Sequence, residues 1–215
     1  SGANELAAFI YEDGDVRYGG LGADEHTEFE IGSLTKTFNG ELVRQQIDVG
    51  SLRLDTQVQD IIDVAGTPVA DVTIEELLNH TSGLSRLESL GFTQIVATSL
   101  CDGGNPYRDA TPEDILDAAK DAELEDRGER NYSNFGAALL GQLLAKNAGT
   151  SYEDLLRTRI FEPAGMDSTF LALPGTVEGH PQGVTLAGRT AQRWDMNGWA
   201  PAGAIPVSYT HLTLP

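Results

Sequence analysis

Cysteine is nearly absent. Cys101 stands alone among 215 residues, which excludes an internal disulfide. Beside Asp102-Gly103-Gly104 it reads as a loop thiol rather than a nucleophile. Basic residues are also scarce: 14 Lys and Arg stand against 33 Asp and Glu, a formal net charge of −19. No basic stripe exists to neutralise phosphates, so nucleic acid and anionic lipid are not expected partners. The acidity itself is that of a solvated surface. No apolar run is long enough to cross a bilayer, and no basic start followed by an apolar stretch marks a signal peptide. Ser1 is not a natural initiator, so upstream residues, with room for an export signal, are expected. Histidine is sparse, and His26, His180 and His211 form no metal-ligand spacing, so neither a metal nor another cofactor is called for.

What remains is an ordinary globular chain. Apolar residues make up 40%, enough to form a core, and the length suits one large domain or two joined lobes. The apolar run 6–11, the turn Glu12-Asp13-Gly14-Asp15 and the run 16–21 predict a β-hairpin. A third short strand is expected over 27–31. Gly32 precedes a helical pattern from 33 to 48, with Phe38, Leu42, Val43 and Ile47 as its inner face and Gly50 as its stop. Thr73 and Glu76 make a capping pair for the next helix. Thr111-Pro112-Glu113-Asp114 repeats that logic, with proline at the first helical position. Residues 135–147 form an apolar-faced helix closed by Ala148-Gly149. Residues 151–161 follow and are halted by Pro163. From 173 onward, frequent Gly and Pro predict loops and short strands.

The chemistry is carried by two short stretches that make sense together. Ser33-Leu34-Thr35-Lys36 puts a hydroxyl and an amine at i and i+3, on one face of the first helical turn. Unpaired N–H groups and the positive end of the helix dipole lie there and can hold a developing oxyanion. An amine against the hydroxyl can take its proton once burial or nearby positive charge keeps that amine neutral. About a hundred residues on, Tyr132-Ser133-Asn134 sits in a polar loop ahead of an apolar helix. Tyr132 can serve as a second proton carrier. Asn134 can donate to a substrate carbonyl or to the lysine. The plain alternative is that Ser33 caps a helix, Lys36 is solvated, and Tyr132 and Asn134 are turn residues. Ser33 is not in a Gly-x-Ser-x-Gly elbow, since Ile31 and Thr35 flank it. Trp194 and Trp199 are expected in core or loop packing rather than in substrate stacking.

These stretches resemble the class C β-lactamase-related serine hydrolases: β-lactamases, penicillin-binding DD-peptidases, D-aminopeptidases and esterases of that fold. Ser-x-x-Lys is a signature of penicillin-recognising enzymes, and Tyr-Ser-Asn is similar to the class C form of the second motif. Further stretches resemble the family: Phe29-Glu30-Ile31-Gly32, Leu52-Arg53-Leu54-Asp55, the run Leu77 through Leu84, Phe161 through Met166, and Pro201-Ala202-Gly203-Ala204-Ile205. The resemblance runs from about residue 6 to 205. It implies a two-lobed α+β fold, an antiparallel sheet flanked by helices plus a mostly helical lobe. The expected division is 1–60 for the sheet lobe and nucleophile helix, 61–172 for the helical lobe, and 173–205 for the return. It implies acyl transfer, with Ser33, Lys36 and Tyr132 catalytic and Asn134 substrate-binding. A small-molecule or peptide substrate, either amide or ester, is implied: a β-lactam, a D-amino-acid peptide or a small ester. The alternative within the same fold is a non-catalytic penicillin- or peptide-binding or sensing module. His80 would be structural, with Gly83 ending a helix. Relatives are commonly exported or held at the cell envelope; the residues here assign no compartment.

One family feature is not found in the 215 residues. A third motif, Lys-Thr-Gly or His-x-Gly on a strand edging the site, normally lies well beyond the Pro-Ala-Gly stretch, and His180-Pro181-Gln182-Gly183 comes too early. The expectation is a C-terminally truncated domain without its last strands, impaired in turnover, with an exposed sheet edge open to self-association. Residues 206–215 (Pro-Val-Ser-Tyr-Thr-His-Leu-Thr-Leu-Pro) resemble a translated transposon-end adapter and are set aside as a non-native tail. Val207 and Tyr209 do alternate with polar residues, as a natural strand would.

Overall fold

The computed structural model describes residues 5–24, 26–87, 104–177, 183–185 and 188–208. Cys101, His180 and 209–215 lie outside them. The chain starts with an antiparallel hairpin of β1 (Leu6–Glu12) and β2 (Asp15–Leu21), in register Leu6 to Leu21 and Glu12 to Asp15. Asp13 and Gly14 both take positive φ at its turn, which is the type the right-handed twist of a hairpin favours. The third strand, β3 (Glu28–Glu30), leads through a 3₁₀ turn (Gly32–Leu34) into helix α1 (Thr35–Asp48).

The helices start where local chemistry dictates. Helix α2 (Ile74–Asn79) and helix α3 (Pro112–Lys120) each begin with a full capping box, Thr73 with Glu76 and Thr111 with Asp114. Helix α4 (Asn134–Ala148) is capped by Ser133 and closed by Gly149 at φ +69°. It is buried on nearly every face from Phe135 to Ala145 and is the axis around which α1, α2, α3 and α6 pack. Helix α5 (Tyr152–Leu156) continues into a π-type turn (Arg157–Phe161). The short helix α6 (Ala200–Gly203) brings the chain back to strand β4 (Pro206–Ser208), which pairs antiparallel with β3.

Several expectations need revising. The inner face of α1 is not only apolar: Thr35, Asn39 and Gln46 are buried beside Leu42 and Val43, while Phe38 and Ile47 lie at the core's margin. These polar groups are buried because each is hydrogen-bonded. Asn39 donates to the carbonyls of Ala137 and Pro201 and accepts from the Tyr152 hydroxyl, and Gln46 donates to the Leu144 carbonyl. Gly83 does not end α2; His80 does, in the left-handed region at φ +59°. Gly83 at φ +78° instead lets the backbone meet 125–127, where an added Cβ would lie 2.9 Å from the Glu125 carbonyl. Residues 206–208, set aside above, have a place in the fold. All three are buried, with Val207 opposite Phe29 of β3.

The hairpin does not share a sheet with β3 and β4 among the described residues. Its side chains are largely in solvent, including Leu6 (59% exposed), Ile10 (64%), Tyr11 (62%) and Leu21 (71%).

Candidate active site

Two lengths of chain are zipped together to carry Tyr132. The segment after α2 runs beside the segment before α4. Asn131 N–H donates to the His80 carbonyl, Gly128 N–H to Thr81 and Glu125 N–H to Gly83, each at 2.8 Å. Arg127 reaches across to Glu76 and Asp71, both at 2.7 Å. At the end of the zip, the Ser133 hydroxyl donates to the Ser85 carbonyl (2.6 Å) and the Ser133 N–H to His80 Nδ1 (3.3 Å). The Tyr132 ring then lies on the His80 ring, centroids 4.7 Å apart.

From the other side, β3 and β4 anchor the start of α1: Ile31 N–H donates to the Ile205 carbonyl at 3.1 Å. Gly32 at φ +52° turns the chain into the 3₁₀ turn, a conformation that side-chain-bearing residues avoid. Ser33 therefore sits at the N-terminal end of α1, exposed, with Lys36 one turn on and partly buried.

The hydroxyl, the amine and the phenol come together. Lys36 Nζ donates to Ser33 Oγ at 3.2 Å, and the Tyr132 hydroxyl donates to the same Oγ at 2.7 Å. Lys36 Nζ also donates to the Ala202 carbonyl at 2.6 Å and lies 5.0 Å from the centre of the Tyr132 ring. Asn134 is not bonded to the lysine. It lines a hollow next to Ser33, with Tyr107, Trp194, Trp199 and Gly203. Trp199 is buried against Tyr107 and Phe135, as a core tryptophan would be. Trp194, at 36% exposed, forms part of the hollow's wall.

The electrostatics favour proton movement. Burial lowers the pKa of Lys36, and Arg86 adds to that; the Tyr132 phenol opposes it, but the net direction is down. Burial alone would raise the pKa of Tyr132. Lys36, Ser33 and Arg86 outweigh it, and the phenol is held below its ordinary value. His80 is kept more neutral than usual by burial and then by the charges of Lys36 and Arg130. A lysine and a phenol with lowered pKa values on one serine oxygen can accept its proton and pass it on. Ser33 lies in the 3₁₀ turn that leads into α1, at the helix end where backbone N–H groups lack intrahelical acceptors and can hold an oxyanion. No cluster of metal ligands exists among the described residues, and no described helix is long and apolar enough to cross a membrane.

Three neighbours of the cluster escaped the sequence reading: the Ala202 carbonyl bonded to Lys36, the His80 ring against Tyr132, and Arg86, whose guanidinium lies 5.4 Å from the Tyr132 ring centre. Only His80 gave a signal, through its place in Asn79-His80-Thr81-Ser82-Gly83.

The family model described as Beta-lactamase matches residues 2–208. The chain belongs to the β-lactamase family. It is 30% identical over 187 residues to penicillin-binding protein 4 of Amycolatopsis lactamdurans, covering 79% of this chain and 44% of that protein. It is 33% identical over 172 residues to penicillin-binding protein 4* of Bacillus subtilis, covering 74% of this chain and 36% of the relative. The chain thus spans less than half the length of either relative. Among solved structures it is similar to a class C β-lactamase from Rhodobacter sphaeroides, with a TM-score of 0.78 at 24% identity over 97% of this chain and 58% of the other. It is also similar to a D-stereospecific amidohydrolase from Streptomyces, with a TM-score of 0.78 at 23% identity over 98% of this chain and 66% of the other. At these identities the structural likeness establishes the α+β β-lactamase-like fold. Members of this family are serine hydrolases.

Proposed function

We propose that this chain is an acyl-transferring serine hydrolase of the Ser-x-x-Lys type, with Ser33 as nucleophile. The observation that carries the reading is the Ser33 oxygen 3.2 Å from the Lys36 amine and 2.7 Å from the Tyr132 hydroxyl. Ser33 Oγ attacks the carbonyl carbon of an amide or ester. Its proton passes to the Lys36–Tyr132 pair, and the carbonyl oxygen takes up negative charge facing the Ser33 N–H. When the tetrahedral species collapses, the bond to the leaving group breaks and the proton returns to that group. Water then attacks the acyl-serine ester, the same pair takes the water's proton, and Ser33 is regenerated.

Asn134 is assigned to the substrate carbonyl, from its place in the hollow beside Ser33. The substrate classes proposed are a β-lactam, a D-amino-acid peptide or a small ester. The names of the relatives, a penicillin-binding protein and a D-stereospecific amidohydrolase, support that range.

The test is covalent labelling with a fluorescent penicillin and with a fluorophosphonate, read by intact mass, in the parent and in Ser33→Ala. One adduct per chain, lost in Ser33→Ala, supports the nucleophile. Equal labelling of both proteins rejects it. A stable adduct with no released product would assign the alternative, a binding or sensing module of the same fold.

A further inference from the structure

Arg86 is anchored at the edge of the site, where Glu125 and Asp126 line the same hollow without forming an ion pair with it. Its backbone carbonyl accepts the N–H groups of Asn134 and Phe135, at 3.1 and 3.4 Å, so its Cα is tied to the start of α4. Its guanidinium lies 5.4 Å from the centre of the Tyr132 ring, a distance at which a cation is attracted to the ring face. Most of the other cations are committed to carboxylates, as with Arg44, Arg53, Arg108, Arg127, Arg157 and Arg193. Arg86 makes no ion pair among the described residues, in a chain of net charge −19.

We propose that Arg86 is a positioning residue for the reaction. It holds the Tyr132 ring in place and sets a permanent positive charge beside the Ser33–Lys36–Tyr132 cluster. The inference rests on the acyl-transfer reading for its consequence in catalysis, but its electrostatic core does not.

The charged and titratable groups around Tyr132 come from four directions. Lys36 approaches from α1, His80 from the end of α2, Arg86 from the segment after it, and Arg130 lies on the same loop as the phenol. Glu125 and Asp126 line the hollow shared by Arg86 and Tyr132. A fixed cation at this range disfavours a second positive charge on Lys36 and favours a negative one on Tyr132. Arg86 acts in these directions on both groups, as the smallest contributor after burial and the contacts among Lys36, Tyr132 and Ser33. Lysine in place of Arg86 keeps the charge but loses the planar face that lies on a ring. Glutamine keeps the approximate length and loses the charge.

The experiment uses the full chain with Arg86→Gln and Arg86→Lys. Tyrosine labelled with carbon-13 at Cζ reports phenol ionisation by NMR, and the Tyr132 signal is assigned by its loss in Tyr132→Phe. Arg86→Gln is expected to raise the Tyr132 midpoint by about half a pH unit or more, and Arg86→Lys by less than half that amount. The rate of Ser33 labelling by a neutral fluorophosphonate should show its pH limb displaced upward by the same shift in Arg86→Gln. An unchanged Tyr132 midpoint in Arg86→Gln overturns the proposal. So does a loss confined to anionic acyl donors with that midpoint unmoved, which would make Arg86 a reader of substrate charge. If Ser33 is labelled in none of the proteins, the acyl-transfer reading falls, and the NMR midpoints still decide the role of Arg86.

Discussion

Ser33 Oγ accepts two hydrogen bonds at once, from an amine and from a phenol. In that resting arrangement the serine proton has nowhere to go until one of the two donors has lost its own. Both have lowered pKa values, so the base form is reached at a lower pH than free lysine or tyrosine would allow. The labelling rate should therefore rise with pH along a limb below the ordinary lysine range, and stopped-flow labelling over pH checks it. Lys36→Met should slow labelling by about 10³-fold and Tyr132→Phe by about 10²-fold or more, with melting close to the parent. His80 makes a separate prediction. Its folded-state pKa is depressed, so acid protonates the unfolded chain more readily than the folded one. Stability should fall as pH drops through the ordinary histidine range. The same protonation removes the Nδ1 acceptor from Ser133. His80→Asn, which tolerates the left-handed cap, should flatten that part of the melting-versus-pH curve and slow labelling about tenfold.

At the scale of elements, the contact between α4 and α6 matters most for the site. Gly141 is there because nothing larger fits: a Cβ would lie 2.2 Å from Pro201 Cβ and 3.0 Å from Tyr152 Cε2. Gly141→Ala must push α6 outward, and α6 carries the Ala202 carbonyl that holds Lys36. The expected cost is about 1–3 kcal/mol, read as a lower denaturation midpoint. Labelling should slow as well, although residues 33, 36 and 132 are untouched. This coupling marks the limit of what the sequence discloses. The capping boxes at Thr73 and Thr111 are legible because a cap is local chemistry over four residues. Ser33 and Lys36 are legible as a pair for the same reason. Ala202 is not, because its contribution is a carbonyl, which every residue has. His80 as a helix terminator is hidden by the rule that glycine usually takes that position. The buried Asn39 and Gln46 break the apolar period of α1, and their partners lie about a hundred positions away, beyond the reach of any local pattern. Val207 was set aside with the tail, because its pairing with Phe29 across the fold leaves no local signal.

The whole molecule has one part that stands apart from its core. The hairpin shows Leu6, Ile10, Tyr11 and Leu21 to water, with alternate residues pointing to opposite faces, so both faces carry apolar groups. An uncovered two-stranded ribbon is marginal, and its apolar surface invites pairing with another copy. Sedimentation velocity is expected to show concentration-dependent association of this chain, reduced in Ile10→Lys and in Leu21→Glu. A monomer at all concentrations would refute the expectation. The tie between Lys36 and Ala202 joins residues 166 positions apart. A nascent chain leaving the ribosome carries Ser33 first, and the carbonyl that orients its partner amine emerges only after the whole of the intervening helical segment. Contacts of such long sequence separation form late and slowly. On the proposed reading, the hydroxyl is expected to gain its full reactivity only once α6 has docked.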